Sequence, residues 1–245
     1  MIALKHDTIR PYGHTNTSKK EEVEHMFDNI AHRYDFLNHL LSAGIDHTWR
    51  KKAVDYIGQI QPLIIADLAT GTGDFALESA RLNPKKIIGI DISEEMMHYG
   101  RIKAKNKGYN HIEFVKGDSE QLNFPTDYFD AMTVGFGVRN YQNLEQGLSE
   151  MYRVLKSGGR LVILEVSIPK NSFMKFIFNI YFNYFCPFIG RLFSKDVRAY
   201  TYLNESVNAF PSGNDFVTIL NKVGFKNTVW KPLTFGICAM YTCEK

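Results

Sequence analysis

Cysteine is scarce, with three in 245 residues: Cys186, Cys238 and Cys243. Odd in number and without a C-x-x-C pair, they argue against a disulfide framework, and reduced thiols in a cytoplasmic protein are expected. Net charge is also small, +3, too little to argue for a nucleic-acid partner. The N-terminus lacks the apolar stretch of a signal peptide. A bilayer span is missing too. Residues 173–190 come nearest, but they contain Lys175, Asn179, Asn183 and Pro187, whereas a spanning helix needs ~20 mostly apolar residues. Internal repeats and low-complexity segments are absent. So is the H-E-x-x-H spacing of helical metal sites. His25, His32 and His39 recur every seven residues, so solvated or capping histidines are expected there, and no metal.

What remains is an ordinary globular composition in a length that suits one α/β domain. Residues 1–17 are polar and unpatterned, and they read as a mobile tail ending by residue 19. Ser18-Lys19-Lys20-Glu21 is a capping-box pattern. After it Val23, Met26, Phe27, Ile30, Tyr34, Leu37 and Leu41 recur at three- and four-residue steps. That spacing predicts an amphipathic helix, interrupted near Tyr34 and Asp35. With a second helical stretch over 48–57 it makes an N-terminal helical cap over residues 20–58. From residue 63, strand patterns (63–66, 86–90, 112–115, 131–134 and 160–164) alternate with helical ones (74–82, 93–105 and 144–155). Such alternation predicts βαβ units and a doubly wound, mostly parallel sheet. Residues 225–231 and 234–243 predict an antiparallel C-terminal strand pair that turns at Lys231 and Pro232.

Residues 67–74 read Asp-Leu-Ala-Thr-Gly-Thr-Gly-Asp and directly follow the apolar run Leu63-Ile64-Ile65-Ala66. An apolar run that enters a Gly-rich turn and then a helical pattern is a nucleotide-type cofactor loop. Gly71-x-Gly73-x-x-Ala76 also satisfies the dinucleotide pattern, with Asp91 at the ribose-binding distance. Asp67 and Asp74, however, bracket the turn. Carboxylates beside a helix N-terminus repel a pyrophosphate. They attract a cofactor with ammonium and sulfonium groups, which describes S-adenosylmethionine. An NAD(P)-dependent oxidoreductase stands as the competing class.

Asp91, with Ile92 beside it, offers two oxygens to two ribose hydroxyls, or caps the helix that opens at Ser93. Asp118, helped by the Ser119 N–H, suits an adenine amino group, or else makes a surface Asx turn. Both fall, with Gly135 to Asn140, at strand C-terminal ends, where such sheets bind ligands. The aromatics of 173–193, Phe178 and Phe182 among them, cover the sheet as a lid or face a long apolar substrate or a bilayer. Arg191, Lys195 and Arg198 beyond them meet anionic headgroups or solvent.

These residues together resemble the class I S-adenosylmethionine-dependent methyltransferases and, more narrowly, the quinone C-methyltransferases of menaquinone and ubiquinone biosynthesis. The resemblance covers nearly all of the chain after about residue 20. It rests on residues 27–35 (Phe-Asp-Asn-Ile-Ala-His-Arg-Tyr-Asp) with Asn38, Ser42, Gly44, Trp49 and Arg50, and on the cofactor loop. Phe136-Gly137-Val138-Arg139-Asn140, residues 153–161 with Leu164-Glu165-Val166-Ser167, and Tyr202-Leu203 with Ser206 and Pro211 carry the rest. Ser157 and Val166 depart from the usual Pro and Phe. Gly135 stands where some members carry a Ser beside the cofactor, so any side-chain contact there is lost.

The resemblance implies a Rossmann-like α/β fold: a single methyltransferase domain over 20–245 with an aromatic lid insertion over 171–210. It implies cofactor contacts from Asp67, Gly71, Thr72, Gly73, Asp91, Ile92, Asp118, Ser119 and Gly135. S-adenosylmethionine would leave as S-adenosylhomocysteine after C-methylation of the reduced ring of demethylmenaquinone, or of the ubiquinone precursor. The implied partners are the prenylated hydroquinone and, peripherally, the inner face of the cell membrane. A homodimer stays open.

The chemistry is sound from first principles. A phenol with pKa ~10 is a weak carbon nucleophile until its proton leaves. As a phenolate, its ortho ring carbon attacks the sulfonium methyl in line, and no metal is required. The protein contributes alignment, dry surroundings and a proton acceptor. Arg139 is expected to stabilise the phenolate or orient a water as base, and Asn140 to hold a ring oxygen, both on the quinone rather than on the cofactor. Tyr34, Asp35 and His32 are further base candidates. A catalytically silent cofactor-binding module and a methyltransferase for another lipid-like molecule also stay open.

Overall fold

The computed structural model describes residues 5–14, 16–42, 44–185 and 197–245. Cys186, Phe188, Arg191, Phe193 and Lys195 lie outside the described residues, as do the side chains of Leu37, His39 and Leu41.

The strands are β1 (Ile64–Leu68), β2 (Lys86–Asp91), β3 (Ile112–Lys116), β4 (Phe129–Gly135), β5 (Leu155–Val166), β6 (Lys226–Leu233) and β7 (Cys238–Glu244). The helices are α1 (Lys19–Ser42), α2 (Ile45–Gly58), α3 (Asp74–Ser79), α4 (Glu94–Asn106), α5 (Leu144–Val154), α6 (Ser172–Ile180), α7 (Val197–Ala209) and α8 (Asn214–Val223). One sheet runs β3-β2-β1-β4-β5-β7-β6. Its first five strands pair in parallel, and β7 runs antiparallel to β5 and β6. The doubly wound α/β sheet with its antiparallel C-terminal pair is thus present.

The central strands read as continuous apolar runs because both of their faces are covered. On one face α2 and α3 press Ala53, Val54, Ile57 and Phe75 onto Ile65, Ile87 and Val162. On the other, Leu148 and Met151 of α5 and Phe216 and Leu220 of α8 pack against Leu68, Val134 and Ile163. Cys238 and Cys243, both free thiols, are buried in β7.

Strand order reverses between β1 and β4, and the crevice for a ligand opens at the C-terminal ends of those strands. Two non-glycine residues there adopt left-handed backbone, Ala69 (φ 48°) after β1 and Phe136 (φ 59°) after β4. Such strain costs roughly 1–3 kcal/mol per residue and concentrates at functional sites. Gly137 explains how the two loops meet, since a Cβ on it would lie 2.5 Å from Ala69 Cβ.

Three expectations change. First, α1 is unbroken through Tyr34 and Asp35: Asp35 is anchored to Thr72 and Lys103, and no Pro or Gly interrupts the helix. Second, the turn before β7 lies at Thr234–Gly236, not at Lys231 and Pro232. Pro232 sits inside β6 opposite Ala239, which an edge strand tolerates because the missing N–H breaks no inner ladder.

Third, the described part of the stretch read as a mobile tail is packed. Glu22 accepts the N–H groups of Tyr12, Gly13 and His14 at 2.7–2.9 Å and the Thr17 hydroxyl at 2.9 Å. Burial opposes its charge, yet these donors hold its carboxyl down to about 2. The capping box forms as expected, with Ser18 N–H donating to Glu21 at 2.6 Å and Glu21 N–H to Ser18 Oγ at 3.2 Å.

Candidate active site

The glycine loop is built by its acids. Asp67 is fully buried and accepts from Thr70 Oγ1 at 2.5 Å, Thr133 Oγ1 at 2.7 Å and Ala76 N–H at 3.0 Å. Burial pushes its carboxyl up to about 6 against those donors. Asp74 pairs with Lys103 of α4 and, at 3.3 Å, with Arg50 of α2. Both carboxylates that bracket the turn are therefore matched by protein groups, and the attraction they were expected to exert on the cofactor is already used. The Thr72 hydroxyl donates to Asp35 and accepts from Lys103 at 3.1 Å. Gly73 caps α3, and a Cβ on it would lie 2.7 Å from Phe114 Cζ. Of the expected cofactor contacts, Asp67 and Thr72 line a small cavity of about 30 Å³ with Gly71 and Gly135, and Gly73 shapes the loop between them.

The cavity beside it, about 60 Å³, is lined by Gly71 and Gly135 again and by the other expected contacts, Asp91, Ile92, Asp118 and Ser119. Asp91 accepts Gly71 N–H at 2.7 Å and Ser93 N–H at 2.9 Å. The helix cap is Ser93 itself, whose Oγ accepts Met96 N–H at 3.1 Å. Asp118 accepts Glu120 N–H at 2.9 Å and the Lys20 ammonium. Among the described residues, Asn140 Oδ1 is buried here without a hydrogen-bond partner.

The charged lining is three acids, Asp91, Asp118 and Glu120, against the single base Lys20. A pyrophosphate does not fit such a set. A phosphate-free cofactor with ribose hydroxyls, an adenine amino group and an ammonium does, and S-adenosylmethionine supplies those donors.

Burial pushes the Asp91 carboxyl up to about 6, with Asp28 adding to it against the backbone donors. Above that pH Asp91 is a carboxylate with acceptor capacity left for two hydroxyls; below it, protonation removes that capacity. The Kd for S-adenosylmethionine is therefore expected to rise about tenfold between pH 7 and pH 5. Calorimetry across that range should also find a flatter profile in Asp91→Asn. Equal slopes in both proteins would remove Asp91 from the ribose.

A larger cavity, about 180 Å³ and mostly apolar, adjoins the acid-lined one, and Phe27, Tyr34 and Phe136 line both. Trp49, Arg50, Arg139, Tyr181 and Phe182 also surround it. Arg139 is 7% exposed and donates from Nη1 to Glu165 Oε1 at 2.9 Å, with Glu165 only 1% exposed. Burial works against the guanidinium charge, yet Glu165 keeps its pKa above the ordinary value. The Arg139 carbonyl accepts from His6 Nε2. Burial, with Lys19 nearby, lowers His6 to about 4, so its ring is neutral at pH 7.

Arg139 and Asn140, expected to act together on the substrate, face different cavities, because the 3-10 turn Val138–Asn140 sends successive side chains apart. Tyr34 stands between the cavities, and burial raises its pKa. His32 is exposed. Asp35 is held by Thr72 and Lys103, and neither residue lines a cavity. Lys20, His6 and the Glu165 pairing had no signal in sequence spacing.

An open α/β sheet with an acid-lined cavity at its switch point, walled by aromatics from an apolar cavity, is the arrangement of a class I methyltransferase. Residues 15–245 match the model of the ubiE/COQ5 methyltransferase family. The chain belongs to that family. It is 48% identical over 241 residues to the "Demethylmenaquinone methyltransferase" of Bacteroides fragilis, covering 98% of each chain. It is 47% identical to the "Ubiquinone/menaquinone biosynthesis C-methyltransferase UbiE" of Geobacter sulfurreducens, covering 94% of this chain and 90% of that one. The fold is shared with a solved putative S-adenosyl-L-methionine-dependent methyltransferase of Methanococcus maripaludis. That match has a TM-score of 0.65 at 18% identity and covers 95% of this chain and 97% of the other.

Proposed function

We propose that this methyltransferase moves the methyl group of S-adenosylmethionine to a ring carbon of reduced demethylmenaquinone. The products are the ring-methylated hydroquinone, S-adenosylhomocysteine and one proton. The observation that carries the reading is the pair of adjoining cavities, one acid-lined and one apolar, which share Phe27, Tyr34 and Phe136. Bound in the first, S-adenosylmethionine supplies an electrophilic sulfonium methyl. The protein's residues do the rest. Asp91 and Asp118 fix the cofactor, the aromatic wall excludes water, and Arg139 stabilises the phenolate whose ortho carbon becomes the nucleophile. The names of the relatives agree with this substrate. Equal amounts of methylated product and S-adenosylhomocysteine from reduced demethylmenaquinone would bear the reading out; no methylated product would refute it.

The prenyl tail takes the reading to a membrane surface. Phe178 and Phe182 are buried, stacked at 4.2 Å, and Phe182 lines the apolar cavity. The outward side of α6 is different: Phe173 is 70% exposed and Phe176 63%, with Lys175 exposed between them. Among the described residues no helix is long and apolar enough to cross a membrane. An apolar face with a basic residue suits peripheral contact with anionic lipid, from which the ring enters past Tyr181 and Phe182. Replacing Phe173 and Phe176 by Ser together is expected to reduce sedimentation with phosphatidylglycerol vesicles. It is also expected to raise KM for a long-tailed quinol more than for a short-tailed one. Unchanged sedimentation and equal KM effects would rule out the lipid contact.

A further inference from the structure

Tyr202 stands on α7, where it and Ala199 pack against Val23 and Met26 of α1. Its side chain is 1% exposed, yet its hydroxyl has no hydrogen-bond partner among the described residues. The residue lines the apolar cavity. Arg139 lines the same cavity, and its buried Nε also lacks a partner among the described residues. Helix α7 packs against the 3-10 turn that carries Arg139, and the two side chains lie close enough to couple electrostatically. Two unpaired buried donors on residues that line one apolar cavity are costly, and folded proteins seldom keep such groups without a use.

We propose that the Tyr202 O–H and the Arg139 Nε–H together receive the oxygen of the reduced ring that lies ortho to the methylated carbon. This rests on the hydroquinone reading above and adds Tyr202 as a second group that touches the substrate. The oxygen gains negative charge as its proton leaves, and each donor strengthens as that charge develops. Tyr202 acts as a donor and not as the base: burial raises its pKa, so its phenol stays protonated at neutral pH. Glu165, by contrast, is a positioning residue that acts through Arg139. Because Tyr202 belongs to α7, the donor pair depends on the packing of α7 against α1.

Tyr202→Phe keeps the ring and removes only the donor. With S-adenosylmethionine and a short-tailed demethylmenaquinol, kcat is expected to fall about ten- to a hundredfold. Tm should hold or rise, since an unpaired hydroxyl is lost, and the Kd for S-adenosylmethionine should not change. A second readout uses 1-naphthol, a monophenol stand-in for the reduced ring, titrated by absorbance in the presence of S-adenosylhomocysteine. Bound to the wild type it should ionise at lower pH than when bound to the variant. Wild-type kcat with equal naphthol ionisation would overturn the proposal, as would a kcat loss matched by a loss of Tm. A wild type that methylates no quinol would defeat the hydroquinone reading instead, and the naphthol titration would still judge the donor pair.

Discussion

Arg139→Lys is expected to lower kcat about 10²-fold, the usual scale for losing one aligned donor to a developing oxyanion, while leaving cofactor affinity nearly intact. The choice of lysine follows from the geometry. Arg139 and Glu165 form a buried ion pair, 7% and 1% exposed. Replacing Arg139 by Ala would strand a buried carboxylate at a cost of roughly 3–5 kcal/mol, so lost activity would be mixed with lost folding. Lysine keeps a positive charge for Glu165 and removes the planar fork and its Nε–H. Measuring kcat, the Kd for S-adenosylmethionine and Tm on the same variant separates the effects. Wild-type kcat with an intact fold would take Arg139 out of the chemistry.

Asp91→Ala should weaken S-adenosylmethionine binding by at least about tenfold, since hydrogen bonds to a charged acceptor are worth roughly 1.5–3 kcal/mol each. The carboxylate has two duties. In the proposed reading it meets the ribose hydroxyls, and it also holds Gly71 N–H at 2.7 Å and Ser93 N–H at 2.9 Å. Alanine therefore loses the ribose contact and loosens the glycine loop together. Asp91→Asn keeps one acceptor oxygen without the charge and should fall between alanine and wild type. An unchanged Kd in Asp91→Ala, read by calorimetry, would end the ribose assignment.

The sheet was legible because parallel strands buried on both faces read as apolar runs, as in Ile65-Ala66 and Ile87 to Ile90. The crevice was legible because Gly71, Asp91, Asp118 and Gly135 all fall at strand C-terminal ends, and the four line one cavity. What spacing did not reveal depends on partners distant in sequence. Asp74 was read as facing a ligand, but Lys103 and Arg50 reach it from α4 and α2. The polar N-terminal stretch has no periodicity, and residues 12–14 are held by one distant carboxylate, Glu22, that gathers their backbone donors. Neighbours in sequence parted as well. Arg139 and Asn140 read as one element, yet a single 3-10 turn sends them into different cavities. Pro232 signalled a turn locally, but its place on the sheet edge overrode that signal.

The central claim is carbon methylation of a reduced quinone ring, and the redox dependence of methyl transfer tests it most directly. Purified protein would receive S-adenosylmethionine labelled in its methyl group, with demethylmenaquinone either reduced or kept oxidised, and the product would be mapped by NMR. Label on a ring carbon of the reduced substrate, with none transferred to the oxidised one, is the result expected. Label on oxygen, transfer independent of oxidation state, or no transfer to the reduced ring would contradict it.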